Sequence, residues 1–65
     1  MKRRELIRGL VRSGCALKKT GGGHDVYFNP VTNRSAPVPR HAEVPNSLAK
    51  LIRKQLGLRD DGPNS

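Results

Sequence analysis

The densest chemistry in the chain lies in one stretch, Thr20-Gly21-Gly22-Gly23-His24-Asp25-Val26-Tyr27. Consecutive glycines let a backbone approach a bulky ligand, with exposed N–H groups able to meet a phosphate. Histidine is the side chain best suited to moving a proton near neutral pH. Lys18 and Lys19 precede the glycines and can attract a phosphate or stabilise charge that develops on it. Against this, three glycines also make an ordinary flexible hairpin, and an isolated histidine is more often structural than catalytic. His41, next to Arg40, reads as a loop residue on the way to Pro45.

Several other chemistries lack their residues. Asp25 is the only acid near His24, so a two-carboxylate mechanism has no second member. No serine sits in an elbow motif, and the glycines are not followed by the Gly-Lys-Ser/Thr of a nucleotide-binding loop. Cys15, His24 and His41 lack zinc spacing and no carboxylate cluster joins them, so neither a metal site nor a cofactor is expected. A single cysteine excludes an intramolecular disulfide and fits a reducing cytosol; Cys15 reads as a small buried hydrophobe. The only aromatics, Tyr27 and Phe28, are adjacent and so fall on opposite sheet faces. That argues against a base-stacking platform and leaves backbone charge and shape as the means of recognition.

Charge is the strongest compositional signal. Thirteen Lys and Arg against five Asp and Glu give a net +8 on 65 residues. Residues 1–20 hold seven basic residues and one acid, whereas 21–46 sum to zero. The pI of about 10.9 lies in the range expected of nucleic-acid binders. No apolar run approaches the roughly 20 residues needed to cross a bilayer. Arg8 and Arg12 interrupt the N-terminal apolar positions, so a signal peptide is not expected, and no aromatic amphipathic segment suits a membrane surface.

These residues must be positioned by a small set of elements. Leu6, Ile7, Leu10 and Val11 predict an amphipathic helix over about 2–13, with Arg4, Arg8 and Arg12 in a row away from the stripe and Gly14 as its stop. Cys15–Lys19 alternates as a short strand, and His24–Phe28 is the best strand former in the chain. By parity His24 shares a face with Val26 and Phe28, which are expected to point into the core. Arg34–Arg40 is a third extended segment with Ala36 and Val38 on one face. Pro37 and Pro39 remove N–H donors from one side of it, which a central strand cannot tolerate; it is expected at an edge. Leu48, Leu51, Ile52 and Leu56 predict a closing helix over about 47–56, capped by Asn46 or Ser47 and ended by Gly57. The expected fold is α+β: two helices on one face of a three-stranded antiparallel meander, in the order α-β-β-β-α. Residues 1–58 form the domain and the polar 59–65 is expected to be a disordered tail.

In this order the segments resemble the HicA family, the small toxins of bacterial HicA–HicB toxin–antitoxin pairs. The resemblance runs over about residues 2–58. It rests on the basic helix ending at Ser13-Gly14, on Gly22-Gly23-His24, on Val26-Tyr27-Phe28, on Val38-Pro39-Arg40-His41 and on the segment from Leu48 to Leu58. It implies a double-stranded-RNA-binding-domain-like fold and a cytoplasmic, metal-independent endoribonuclease that cleaves mRNA and arrests growth. It also implies a HicB-like antitoxin as partner, with the toxin a monomer when free and a hetero-oligomer when neutralised. The family's catalytic histidine maps onto His24. Gly23 stands where the family commonly has Ser, so any contact made by that hydroxyl is missing here. The RNA-contacting set is expected to be Lys18, Lys19, Gly22, Gly23, Arg34 and Arg40. A non-catalytic binder of structured RNA is the alternative, and a basic protein acting mainly through a protein partner is a third reading.

Overall fold

The computed structural model describes residues 1–58; the expected tail, 59–65, lies outside the described residues. The chain runs α1 (Arg3–Arg12), β1 (Ala16–Thr20), β2 (His24–Asn29), β3 (Arg34–Pro39) and α2 (Asn46–Gln55). The three strands form one antiparallel sheet in the order β1-β2-β3. This is the expected α+β arrangement, with β3 at an edge. Its prolines 37 and 39 stand on the outer side, where Arg3 Nε donates to the Pro39 carbonyl at 2.8 Å.

The core lies between the helices and one face of the sheet. Leu6 and Leu10 of α1, Ala49 and Ile52 of α2, Leu56, Tyr27, Ala36 and Val38 are all buried in it. Both helices end in the same way. Gly14 (φ 96°) and Gly57 (φ 73°) take the left-handed position after the cap residues Ser13 and Leu56. The N–H groups that follow fold back: Gly14 to the Val11 carbonyl and Cys15 to Leu10, then Gly57 to Lys54 and Leu58 to Arg53. This double closure satisfies carbonyls that a helix end otherwise leaves open. It also turns Cys15 into the core, where burial pushes its thiol pKa up while the Arg53 charge opposes the shift.

Three expectations are corrected. The first concerns the cap of α2: Pro45, not Asn46 or Ser47, occupies the cap position, and no side chain caps the helix. Asn46 Oδ1 instead accepts a bond from the Met1 amino group at 3.3 Å, while the Met1 and Val44 backbones pair. The second concerns β2. Tyr27 and Asn29 face the core, and Val26 and Phe28 lie half-buried on the opposite face. The register gives the reason: Tyr27 sits opposite Ala36 and Asp25 opposite Val38, and partners directly across a sheet share a face. Asn29 is buried because its side chain has a task there. Its Nδ2 donates to the Leu56 carbonyl at 2.9 Å, and its Oδ1 accepts from the Val31 N–H at 3.0 Å.

The third correction is in β1, where regular alternation fails. Leu17 pairs with Tyr27 and Lys19 with Val26, so Lys18 is an extra residue between them. Such a bulge breaks the period of two.

The end of α2 is the tightest joint in the molecule. Asn29 and Thr32 both donate to the Leu56 carbonyl, and a Cβ added at Gly57 would lie 2.6 Å from Thr32 Cγ2. Gly57→Ala therefore combines a left-handed backbone with a clash. It is expected to destabilise the domain by about 2 kcal/mol or more. For a chain of this size that lowers Tm by on the order of 10 °C, read by circular dichroism.

Candidate functional site

β1 and β2 are joined by a hairpin with Gly22 and Gly23 at its tip. The Gly21 N–H donates to the His24 carbonyl at 2.9 Å and closes the turn. Gly21 is the crowded position, since an added Cβ would meet that carbonyl at 3.1 Å and His24 Nε2 at 4.0 Å. The imidazole thus lies over the turn. Gly22 and Gly23 are open: a Cβ on either meets nothing within 4 Å, and neither has a left-handed φ. Among the described residues their N–H groups donate to no protein acceptor. The turn therefore presents free donors and empty space beside an exposed histidine.

His24 lies on the sheet face that the helices leave uncovered, with Val26 and Phe28 following it along that face. The bulge in β1 brings both lysines to this side. Lys19 is opposite Val26, and the Lys18 ammonium stands 5.2 Å from the centroid of the Phe28 ring. A cation over an aromatic face gains about 0.5–1 kcal/mol at an exposed site, enough to bias where Lys18 rests.

The residue after the histidine, Asp25, points to the helix side of the sheet and anchors an ionic clamp there. Asp25 Oδ2 accepts from Arg3 Nη2 at 2.7 Å; its Oδ1 accepts from Arg40 Nη2 at 2.7 Å and Nε at 3.0 Å. The Arg40 hydrogen bonds, helped by the charges of both arginines, hold the Asp25 carboxyl below the usual carboxylate range. One carboxylate thus ties the start of α1 to the start of β2 and the end of β3. The Arg40 N–H also donates to the Gly23 carbonyl at 3.4 Å, and Pro39 is the partner of His24 across the sheet. The Arg40 guanidinium is half-exposed, and its Nη1 bonds no protein acceptor.

Residues 3–58 match the family described as the HicA toxin of bacterial toxin–antitoxin systems. The chain belongs to the HicA toxin family. Neither the curated proteins nor the solved structures contain a significant match to it. Membership makes the chain the toxin component of a toxin–antitoxin system, with an antitoxin as its cognate partner. No described helix is long and apolar enough to cross a membrane.

Of the residues singled out in the sequence of this HicA-family chain, the structure brings together Gly22, Gly23, His24 and the main chain of Arg40 at the turn; Lys19 and Lys18 lie further along the same sheet face, opposite Val26 and over Phe28. Arg34 stands apart. It pairs with Asn29 at the far end of β2, about 17 Å along the strand from His24, and shares the helix-side face of Ala36 and Val38. His41 is exposed in the connection that follows Arg40. Arg3 and the role of Asp25 escaped the sequence reading. Arg3 lies 22 residues from Asp25, and nothing local in either segment announces their pairing.

The clamp makes stability depend on pH in one direction. A carboxyl whose pKa is lowered on folding stabilises above its unfolded pKa, about 3.9, and loses that contribution as pH falls through the folded value. Asp25→Asn should therefore unfold at lower temperature than the parent at pH 7. The gap should narrow steadily below about pH 4 in thermal scans. A gap independent of pH would show that the charge of Asp25 is not what stabilises.

Proposed function

We propose that this toxin is a metal-independent endoribonuclease in which His24 transfers a proton at the scissile phosphate of mRNA. The observation that carries the reading is the position of His24. It is exposed on the uncovered sheet face, beside two free backbone N–H groups, with Lys19 and Lys18 further along that face and the Arg40 main chain bonded to Gly23. RNA contains its own nucleophile. The 2′-hydroxyl attacks the adjacent phosphorus, the P–O5′ bond breaks, and the products are a 2′,3′-cyclic phosphate and a 5′-hydroxyl.

Such a reaction asks the protein for proton transfer and for stabilisation of the charge gathering on the phosphoryl oxygens. His24 serves the first need. Arg40 Nη1, the Gly22 and Gly23 N–H groups and Lys19 serve the second. Asp25 is a positioning residue in this scheme, because its carboxylate is fully engaged by Arg3 and Arg40 and holds Arg40 at the turn.

Neutralisation follows from the same surface. A HicB-like antitoxin that covers the face around Lys18, Lys19, His24 and Arg40 removes access to His24 without refolding the toxin. An acidic complement gains both association rate and affinity by doing so.

Two experiments test these statements. His24→Ala, compared with the parent on labelled mRNA in EDTA, is expected to lose cleavage by about 100-fold or more while retaining RNA binding and Tm. Equal cleavage by the two proteins would refute the assignment; binding without cleavage by the parent would support the non-catalytic reading. Lys18→Glu with Lys19→Glu is expected to weaken RNA and antitoxin binding together and to flatten the salt dependence of both. Loss of RNA binding alone, with antitoxin affinity and its salt slope intact, would show that the two surfaces are distinct.

A further inference from the structure

A second basic surface lies on the other layer of the molecule, at the C-terminal half of α2. Lys50, Arg53, Lys54 and Leu58 line a cleft of about 200 Å³ there. Arg53 is half-buried against α1, and its Nη1 lies 3.1 Å from where a Cβ on Gly9 would stand. A glycine within a helix costs up to about 1 kcal/mol relative to alanine. Here Gly9 does not have a left-handed backbone, so what it provides is the space that the guanidinium occupies.

Arg12 is on α1 one turn beyond Gly9. Arg34 is at the same end of the sheet: its partner Asn29 binds the Leu56 carbonyl at the end of α2. Among the described residues Arg12, Arg34, Lys50 and Lys54 form no ion pair. Among the described residues the acids are few. Residues 1–58 contain three, of which Asp25 is held by Arg3 and Arg40 and Glu43 lies 3.9 Å from the Met1 amino group.

The simpler account is that these cations complement the negative end of α2. The hydrogen bonds leave that role largely filled. The carbonyls of Ile52, Arg53 and Lys54 accept from the N–H groups of Leu56, Leu58 and Gly57, and the Leu56 carbonyl accepts from Asn29 and Thr32. What remains is a concave cleft whose two lysines, Lys50 and Lys54, form no ion pair among the described residues, and a repeating anion is the complement to it.

We propose that this cleft is a second site for the phosphate backbone of RNA, gripping the strand several nucleotides away from the cleavage point. The proposal rests on the RNA-cleaving reading for its purpose, although not for its test. His24 is at one end of β2, on the uncovered face. The cleft is joined to the other end through Asn29, on the helix side, so a short substrate reaches only one of the two. Long RNA engages both, and the second contact raises affinity by making itself intramolecular.

The experiment uses the full chain carrying His24→Ala, so that RNA stays intact, with and without Lys50→Glu plus Lys54→Glu. The probes are a labelled single-stranded RNA of about 20 nucleotides and a trinucleotide. The charge reversal is expected to weaken binding of the long RNA at least tenfold. It should also reduce the slope of log K against log salt by about 1.4, two phosphate contacts at roughly 0.7 each. Trinucleotide binding should not change. Lys50→Ala with Lys54→Ala, which retains good helix formers, should give a smaller loss in the same direction. Unchanged long-RNA affinity and slope would overturn the proposal, also if the variant loses only antitoxin binding. An equal loss for both probes would overturn it as well, by showing a general charge effect. Because cleavage is not read, a failure of His24 as the catalytic residue would appear only in the parent's cleavage assay.

Discussion

The register of β2 against β3 is the constraint on which the rest of the molecule depends. Side chains alternate across a strand, so a slip of one residue moves every group to the other face. With Tyr27 opposite Ala36 and Asp25 opposite Val38, the odd residues of β2 meet the helices and His24 faces outward. The alternative would bury the imidazole and expose Tyr27. Three contacts make the observed choice the stable one. Tyr27 completes the core, Asn29 finds the Leu56 carbonyl, and Asp25 finds two arginines.

Those polar contacts sit at the two ends of β2 and act as its anchors. At the Asn29 end, neutral hydrogen bonds tie the hairpin to the close of α2, and Gly57 permits the approach. At the Asp25 end, an ionic clamp joins α1 to the end of β3 and brings Arg40 beside the glycine turn. A half-buried carboxylate shared by two guanidiniums is held by charge-assisted, partly bidentate hydrogen bonds, which makes the local geometry specific. The glycine–histidine turn is therefore held by groups that do not belong to it. Gly22 and Gly23 are left without neighbours, so space for a ligand is created by what surrounds the turn.

Charge in this toxin is distributed rather than balanced. Twelve basic residues face three acids in residues 1–58, and the ion pairs formed by Asp25 consume two of the cations. Most of the others are spread over both layers: Lys18, Lys19 and Arg34 on the sheet, Arg4, Arg8, Arg12, Lys50 and Lys54 on the helices. Self-repulsion of that kind opposes compactness, and a polyanion that binds either surface relieves it.

Much of the architecture was legible in the sequence because it is written in local signals. Apolar spacing marked both helices, Gly14 and Gly57 marked their ends, and Pro37 with Pro39 placed β3 at an edge before any pairing was known. The glycine–histidine turn and the net charge marked the candidate site in the same way. What the sequence could not determine was which face of β2 is buried, since Val26 and Phe28 are as apolar as Tyr27. That choice is made by partners distant in the chain, Ala36, Val38 and the end of α2. Likewise Lys18 and Lys19, neighbours that regular alternation would separate, share a face only because a bulge forms against β2. Arg3 meets Asp25 only because α1 packs beside that end of the sheet. Local periodicity decides which elements form; the faces they present to one another are decided by register and packing, which no single segment contains.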